Sequence, residues 1–236
     1  MMSEMNLPVQ LPLGISLREE ARFENFILGE NGLLCESLKS SARGEGDPVV
    51  YLWGASGSGR SHLLQAVCHQ ADALNRQAVY LPMAELIEFD SSLFEGLEQM
   101  DLVCIDDLEC LVGHRIWEEA MFHLFNRLRA ANVRLILAAS ELPARLNVSL
   151  ADLTSRLQWG LVFQVQPIQE DEKIETLKAR AISRGFELSD EVLRYIMHHG
   201  KRDLTDLLCV LDQLDHASLS AHRRITVPFV KQVMGW

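Results

Sequence analysis

The chain has 236 residues, 48% hydrophobic and 23% charged, with 14 Gly and 7 Pro. That balance fits a globular chain able to bury a core and excludes a disordered or fibrous one. A formal net charge of -11 argues against a dedicated duplex-binding domain, whose affinity rests on a basic face set against phosphates.

Residues 1–20 show little periodicity, are interrupted by two prolines and read as a flexible tail. They carry neither a basic n-region nor an apolar h-region, so no secretion signal is expected. No apolar run approaches the length of a membrane span, and a cytoplasmic protein is the expectation. The five cysteines, Cys35, Cys68, Cys104, Cys110 and Cys209, show no CxxC pair. Four of them sit among apolar neighbours, which reads as buried thiols in a reducing compartment.

From about residue 48, strands and helices alternate. Pro48–Trp53 is a continuous apolar run of the kind found in a sheet covered on both faces. A helix from Ser61 to about Asn75 follows, with Leu63, Leu64, Val67 and Ala71 on one side. Further strands are expected at Ala78–Pro82, Leu102–Asp106, Arg134–Ala139 and Gly160–Val165, with a helix from about Ile116 to Ala131. This alternation predicts a parallel α/β sheet flanked by helices. After Pro167 the pattern changes to three amphipathic helices near 170–184, 189–199 and 203–219. In the third, Leu204, Leu207, Leu208, Leu211 and Leu214 form one apolar stripe, and Asp203 can cap it after a break at Gly200. The expected organisation is a tail at 1–20, an α/β nucleotide-binding domain at 21–167 and a small all-helical domain at 168–236.

Chemistry concentrates first in Gly54-Ala55-Ser56-Gly57-Ser58-Gly59-Arg60-Ser61. This run lies between a strand and a helix, where glycines can turn successive N–H groups onto a phosphate and the helix adds its positive end. Ser61 is placed to ligate magnesium, and Arg60 replaces the lysine of the usual G-x-x-x-x-G-K-[ST] pattern. A guanidinium is a planar fork, not a point charge, so nucleotide binding is expected to survive while hydrolysis in cis is expected to be slow. The second signal is Leu102-Val103-Cys104-Ile105-Asp106-Asp107, an apolar strand ending in two carboxylates, one for the magnesium shell and one near an attacking water. The strand at 78–82 is read as lying between it and the P-loop. Ser140, Arg156 and Arg202 are ambiguous singly, and their order along the chain is what raises them.

With these motifs in order, the chain resembles the AAA+ ATPases, and among them the bacterial DnaA family with its shortened Hda branch. The likeness runs from Phe23-Glu24-Asn25-Phe26 to the final helices and includes Ser155-Arg156-Leu157-Gln158-Trp159-Gly160-Leu161. The resemblance implies that Asp106 and Asp107 are the Walker B pair, with Asp106 and Ser61 at Mg2+. It places Ser140 at sensor 1, makes Arg156 the arginine finger and Arg202 the sensor 2 arginine. Phe26, Ile27 and Leu28 would lie near the base of ADP or ATP, and Gly54, Ser56, Gly57, Ser58, Gly59, Arg60, Ser61 and His62 around its phosphates. The chain ends at Trp236, soon after the helical region, so no origin-reading helix-turn-helix domain and no direct sequence-specific DNA binding is expected. Gln10-Leu11-Pro12-Leu13 resembles the peptide that binds the DNA polymerase sliding clamp. Together these imply a regulator that binds adenine nucleotide and the clamp and stimulates hydrolysis of ATP held by DnaA. A homo-oligomer stays open, as do two alternatives: a helicase-loader type AAA+ adaptor, and a P-loop small-molecule kinase.

Overall fold

The computed structural model describes residues 16–200, 204–221 and 223–236. In it the apolar runs become strands β1 (Val49–Trp53), β2 (Ala78–Pro82), β3 (Leu102–Asp106), β4 (Arg134–Ala139) and β5 (Leu161–Gln164). Preceding and between them lie α1 (Gly32–Arg43), α2 (Arg60–Ala73), the short α3 (Met83–Leu86), α4 (Arg115–Ala130) and α5 (Ala151–Leu157). The strands form one parallel sheet in the order β2-β3-β4-β1-β5.

Strand alternation divides the core between the two faces. Val49, Tyr51, Val103, Ile105, Leu135 and Leu137 join Trp117, Met121, Leu124 and Phe125 of α4 and Leu153 and Leu157 of α5 in one cluster. Val50, Leu52, Leu102, Cys104, Ile136 and Ala138 join α1 and α2 in the other, where Leu63, Leu64, Val67 and Ala71 are wholly buried. Because both faces are covered, β3 is buried at every residue and β1 at all but Trp53, which is why these segments read as unbroken apolar runs.

One expectation of strand placement is corrected here. The strand interposed between β1 and β3 is β4, and β2 takes the edge beside β3. The reason is that α2 packs against β2, β3 and β4, so the connection leaving β1 passes over two positions before it returns to the sheet. Residues read as the end of a tail are also held: Arg18 N donates to Gln65 Oε1 at 2.9 Å, His69 Nε2 to Arg18 O at 2.9 Å, and Ala21 is buried. Among the cysteines Cys35, Cys68 and Cys104 are buried, Cys110 is intermediate and Cys209 exposed, and all five are free thiols. Three are thus buried where four were expected, since Cys110, just after β3, is only partly covered and Cys209 on α8 is exposed.

The chain divides into two compact units, one running to Ala55 and again over Gly59–Gln166, the other taking Ser56–Ser58 and Pro167–Trp236. The second unit holds α6 (Glu170–Ser183), α7 (Asp190–His199), α8 (Leu204–Ala221) and α9 (Val227–Met234). Gln169 and Glu172 close a capping box on α6, and the Ser189 hydroxyl accepts from Val192 N on α7. Leu177, Val192, Leu193, Ile196, Leu207, Leu211, Leu214 and Val230 form its core. The leucine stripe of α8 is therefore real at Leu207, Leu211 and Leu214, while Leu204 and Leu208 are only partly covered. The fourth helix, α9, was not expected; it is short and has Pro228 in its first turn, where proline's fixed φ suits a helix start. Asp203 lies outside the described residues. Among the described residues no helix is long and apolar enough to cross a membrane.

Candidate functional site

Parallel strands deliver their C-terminal ends to one sheet edge, the usual place for a ligand crevice in such folds. Here Gly54 follows β1, Asp106 closes β3 and Ser140 follows β4. Gly54 N donates to Ala139 O at 3.3 Å, fixing the root of the P-loop to β4. Gly57 and Gly59 adopt φ of 75° and 100°, left-handed values that turn the intervening amides inward. A Cβ on Gly59 would stand 2.7 Å from Phe26 Cε2, so Phe26 closes on the loop and would have to shift to admit a larger residue. The His62 ring lies tilted beside Phe26, at 5.6 Å between ring centroids, and donates from Nε2 to Arg22 O at 2.9 Å. Burial holds the His62 ring below the ordinary histidine pKa, opposed by that carbonyl. Leu28 is half exposed, near Gly32.

Two polar atoms here are buried without a hydrogen-bond partner: Ser58 Oγ and Arg60 Nη1. Stranded buried donors are costly unless an acceptor reaches them. With the left-handed glycines and the amino end of α2 they fit a phosphate group. Ser61, second residue of α2, carries a hydroxyl and Asp106 a carboxylate, the oxygen donor types that a magnesium ion takes.

Asp106 is wholly buried and its oxygens are accounted for. Oδ2 accepts from the Tyr80 hydroxyl at 2.8 Å and Oδ1 from Asp107 N at 3.0 Å. Burial and the Asp106 charge push the Tyr80 hydroxyl well above the usual phenol pKa. Asp107 sits at φ 52°, the left-handed region that a short polar residue tolerates. Burial, then the charges of Asp106 and Glu109, push its carboxyl up to about 6. Glu109 is the unforeseen member of this cluster. Its Oε1 lies 3.7 Å from Arg60 Nη1, and its Oε2 accepts from Ser140 N at 3.1 Å. It thus links the P-loop cation to the residue after β4.

Arg156 belongs to a separate group. On α5, it donates Nε–H to Asn126 Oδ1 of α4 at 3.2 Å, and its guanidinium lies 5.8 Å from the Phe122 ring centroid. Neither Nη group has a hydrogen-bond partner among the described residues, so both stay available to an outside acceptor. The start of α5 is fixed by Glu118 of α4, 1% exposed, whose Oε1 accepts from Gly113 N and Ser149 N and whose Oε2 accepts from Leu150 N. Nearby, Arg129 stacks on the Trp159 ring at 4.0 Å.

The structure therefore gathers Phe26, Gly54, Gly59, Arg60, Ser61, His62, Asp106, Asp107 and Ser140 at one sheet edge, with Ile27 and Leu28 beyond Phe26. Arg156 makes its contacts on α4 instead. Arg202 and Gln10, Leu11, Pro12 and Leu13 lie outside the described residues. Sequence reasoning missed Glu109, Tyr80, Asn126 and Glu118. Glu109 carried one signal, standing two residues beyond Asp107; Asn126 and Phe122 carried another, an i, i+4 pair on α4.

The family described as the bacterial DnaA ATPase domain matches residues 17–164, and the one described as Hda, lid domain, matches residues 170–234. Domain III of the Thermotoga maritima replication initiation protein DnaA is similar at a TM-score of 0.77 and 20% identity, over 94% of this chain and 98% of that one. AMPPCP-bound DnaA from Aquifex aeolicus is similar at a TM-score of 0.69 and 24% identity, over 86% and 68%. The Thermotoga maritima RuvB Holliday junction branch migration motor is similar at 0.66 and 18%, over 91% and 71%. At such identities these likenesses concern the fold, an AAA+ parallel sheet flanked by helices with a helical lid region after it.

Proposed function

We propose a function from one premise: the chain belongs to the family of the bacterial DnaA ATPase domain. It binds adenine nucleotide, ADP or ATP, with Ser56, Gly57, Ser58 and Gly59 around the phosphates and Arg60 beside them. The partnerless Ser58 Oγ and Arg60 Nη1 support that reading, and a fold neighbour of the same family is known bound to AMPPCP. Ser61 and Asp106 would hold Mg2+, which neutralises phosphate charge when bound. By the family likeness, Ser140 would be the sensor 1 residue and Arg202 the sensor 2 arginine.

The protein's own turnover is slow in this reading. Arg60 is already neighbour to Glu109, and the short Asp107 side chain is a retracted base for water.

Its principal act is on a partner. Arg156 enters the active site of an ATP-bound DnaA molecule and stabilises charge developing on the transferred phosphoryl group, as an arginine finger supplied in trans does. The observation that carries this is the Asn126–Arg156 bond, which holds Nε and leaves both Nη groups free. The match to the Hda lid supports the regulatory branch. Gln10–Leu13 tethers the protein to the sliding clamp, and conversion of DnaA-ATP to DnaA-ADP restrains replication initiation. The test is hydrolysis of DnaA-bound ATP with and without this protein, on clamp-loaded DNA. Stimulation is expected; an unchanged rate overturns the proposal.

A further inference from the structure

The pairing of Arg60 with Glu109 has a consequence for how tightly a phosphate is held. The Arg60 side chain is 10% exposed, and its Nη1 lies 3.7 Å from Glu109 Oε1, close enough for charge attraction but too long for a hydrogen bond. That same Nη1 is buried with no hydrogen-bond partner. A guanidinium N–H so placed is satisfied electrostatically but not directionally, and it will turn to any oxygen that offers a proper bond. Glu109 in turn does not depend on Arg60 for its place, because Ser140 N donates to its other oxygen at 3.1 Å.

We propose that Glu109 is an internal competitor for Arg60: it engages the guanidinium that the phosphate of a bound nucleotide would take, and so sets nucleotide affinity through that arginine. The inference rests on the nucleotide-binding reading above. A carboxylate and a phosphate oxygen are alternative acceptors for the same fork of donors. Whatever Arg60 gives to a phosphate, it gives against the attraction it already has. Among the described residues Glu109 is thus the acid that meets both the P-loop cation and the residue beyond β4.

The experiment is a calorimetric titration of magnesium-ADP and a non-hydrolysable ATP analogue into the full chain, wild type, Glu109→Gln, Arg60→Ala and the double variant. Glutamine keeps a carbonyl oxygen for the Ser140 amide and removes only the charge. Glu109→Gln is expected to bind nucleotide about tenfold more tightly, about 1.4 kcal/mol. Arg60→Ala is expected to bind more weakly, and the double variant to match it within about twofold, since the coupling of two contacting residues vanishes once one is gone. An equal or weaker affinity for Glu109→Gln overturns the proposal. So does an equal gain in the Arg60→Ala background, which would mean direct repulsion between Glu109 and phosphate. Should Glu109→Gln not fold, Glu109→Asp, with its charge withdrawn by one methylene, is expected to give a smaller tightening, and no tightening overturns the proposal. A wild-type chain that binds no nucleotide would sink the nucleotide reading and this one together. Wild-type binding with no response to Glu109→Gln sinks this one alone.

Discussion

Arg156 donates its Nε–H to Asn126 Oδ1 at 3.2 Å, and that bond decides which edge of the guanidinium faces outward. Held by Nε, the side chain presents both Nη groups, the pair that can bridge two phosphate oxygens. Arg156→Ala is expected to leave nucleotide binding and thermal stability nearly intact. It should reduce stimulation of DnaA-bound ATP hydrolysis by about 10³ or more, the scale of arginine fingers. Asn126→Ala keeps the charge and loses its aim, so a smaller loss, up to about 10², is expected from misplacement alone. Hydrolysis assays on clamp-loaded DNA read both, and an Asn126→Ala protein with wild-type stimulation would remove Asn126 from the mechanism.

Asp107 titrates in a measurable window. Its folded-state carboxyl is pushed up to about 6, first by burial and then by Asp106 and Glu109. A carboxyl raised in the folded state binds a proton there while the unfolded chain has already lost it, so its contribution to stability falls as pH rises from about 4 to about 6. Asp107→Asn removes the charge and retains a residue that tolerates φ 52°. The variant is expected to be more stable than wild type at pH 7 by about 1 kcal/mol, allowing for solvent screening. That advantage should shrink by pH 5. Denaturant midpoints at the two pH values test this, and a variant less stable at pH 7 would show that the acidic cluster is not strained.

Glu118 is expected to be the costliest single acid to remove. It is 1% exposed and accepts three backbone N–H groups, from Gly113, Ser149 and Leu150, so it anchors the loop that launches α5. Glu118→Ala would leave those donors unpaired, at about 1–3 kcal/mol for each buried group left unsatisfied. Loss of stability by at least about 2 kcal/mol, together with loss of Arg156-dependent stimulation, is expected. Retained stability would mean the loop finds other acceptors.

Gly160 separates backbone strain from function. Its φ is 98°, and a Cβ there would stand 2.3 Å from Val49 O, at the start of β1 where Val50 pairs with Leu161 of β5. The obstacle is backbone, not a flexible side chain, so Gly160→Ala is expected to destabilise by about 3 kcal/mol or more. Unfolding monitored by circular dichroism reads it, and a loss below 1 kcal/mol would show that β5 can detach from β1 at no great cost.

β1, β3 and β4 were legible because burial on both sheet faces leaves an unbroken apolar run, and β2, β3 and β4 fall on the residues expected. Helix α1 was not foreseen, having no side-chain cap and opening on Gly32. The sheet order was misread because sequence order does not reveal that α2 carries the chain past β4 and β3 to the edge. The P-loop and the Asp106–Asp107 pair were legible because backbone conformation and strand position are written into consecutive residues. Glu109, Asn126 and Glu118 act across separations of 30 or more residues, and such local signals as they carry do not name a partner that is another element's amide or guanidinium.

The clamp peptide offers the sharpest division of labour within the chain. Gln10 supplies an amide that both donates and accepts, Leu11 and Leu13 supply apolar surface, and Pro12 reduces the backbone entropy lost when an extended peptide is ordered. Among the described residues Leu17 packs on the core and Arg18 is held through Gln65 and His69, all of them outside the stretch 1–14. That deletion is expected to abolish binding to the sliding clamp while nucleotide affinity and melting temperature stay at wild-type values. Gln10→Ala alone should weaken the clamp complex by about tenfold, the loss of one well-made polar contact. Pull-down by immobilised clamp measures both. Retention of the deleted protein at wild-type strength would move clamp binding to another surface and remove the tail from the function proposed here.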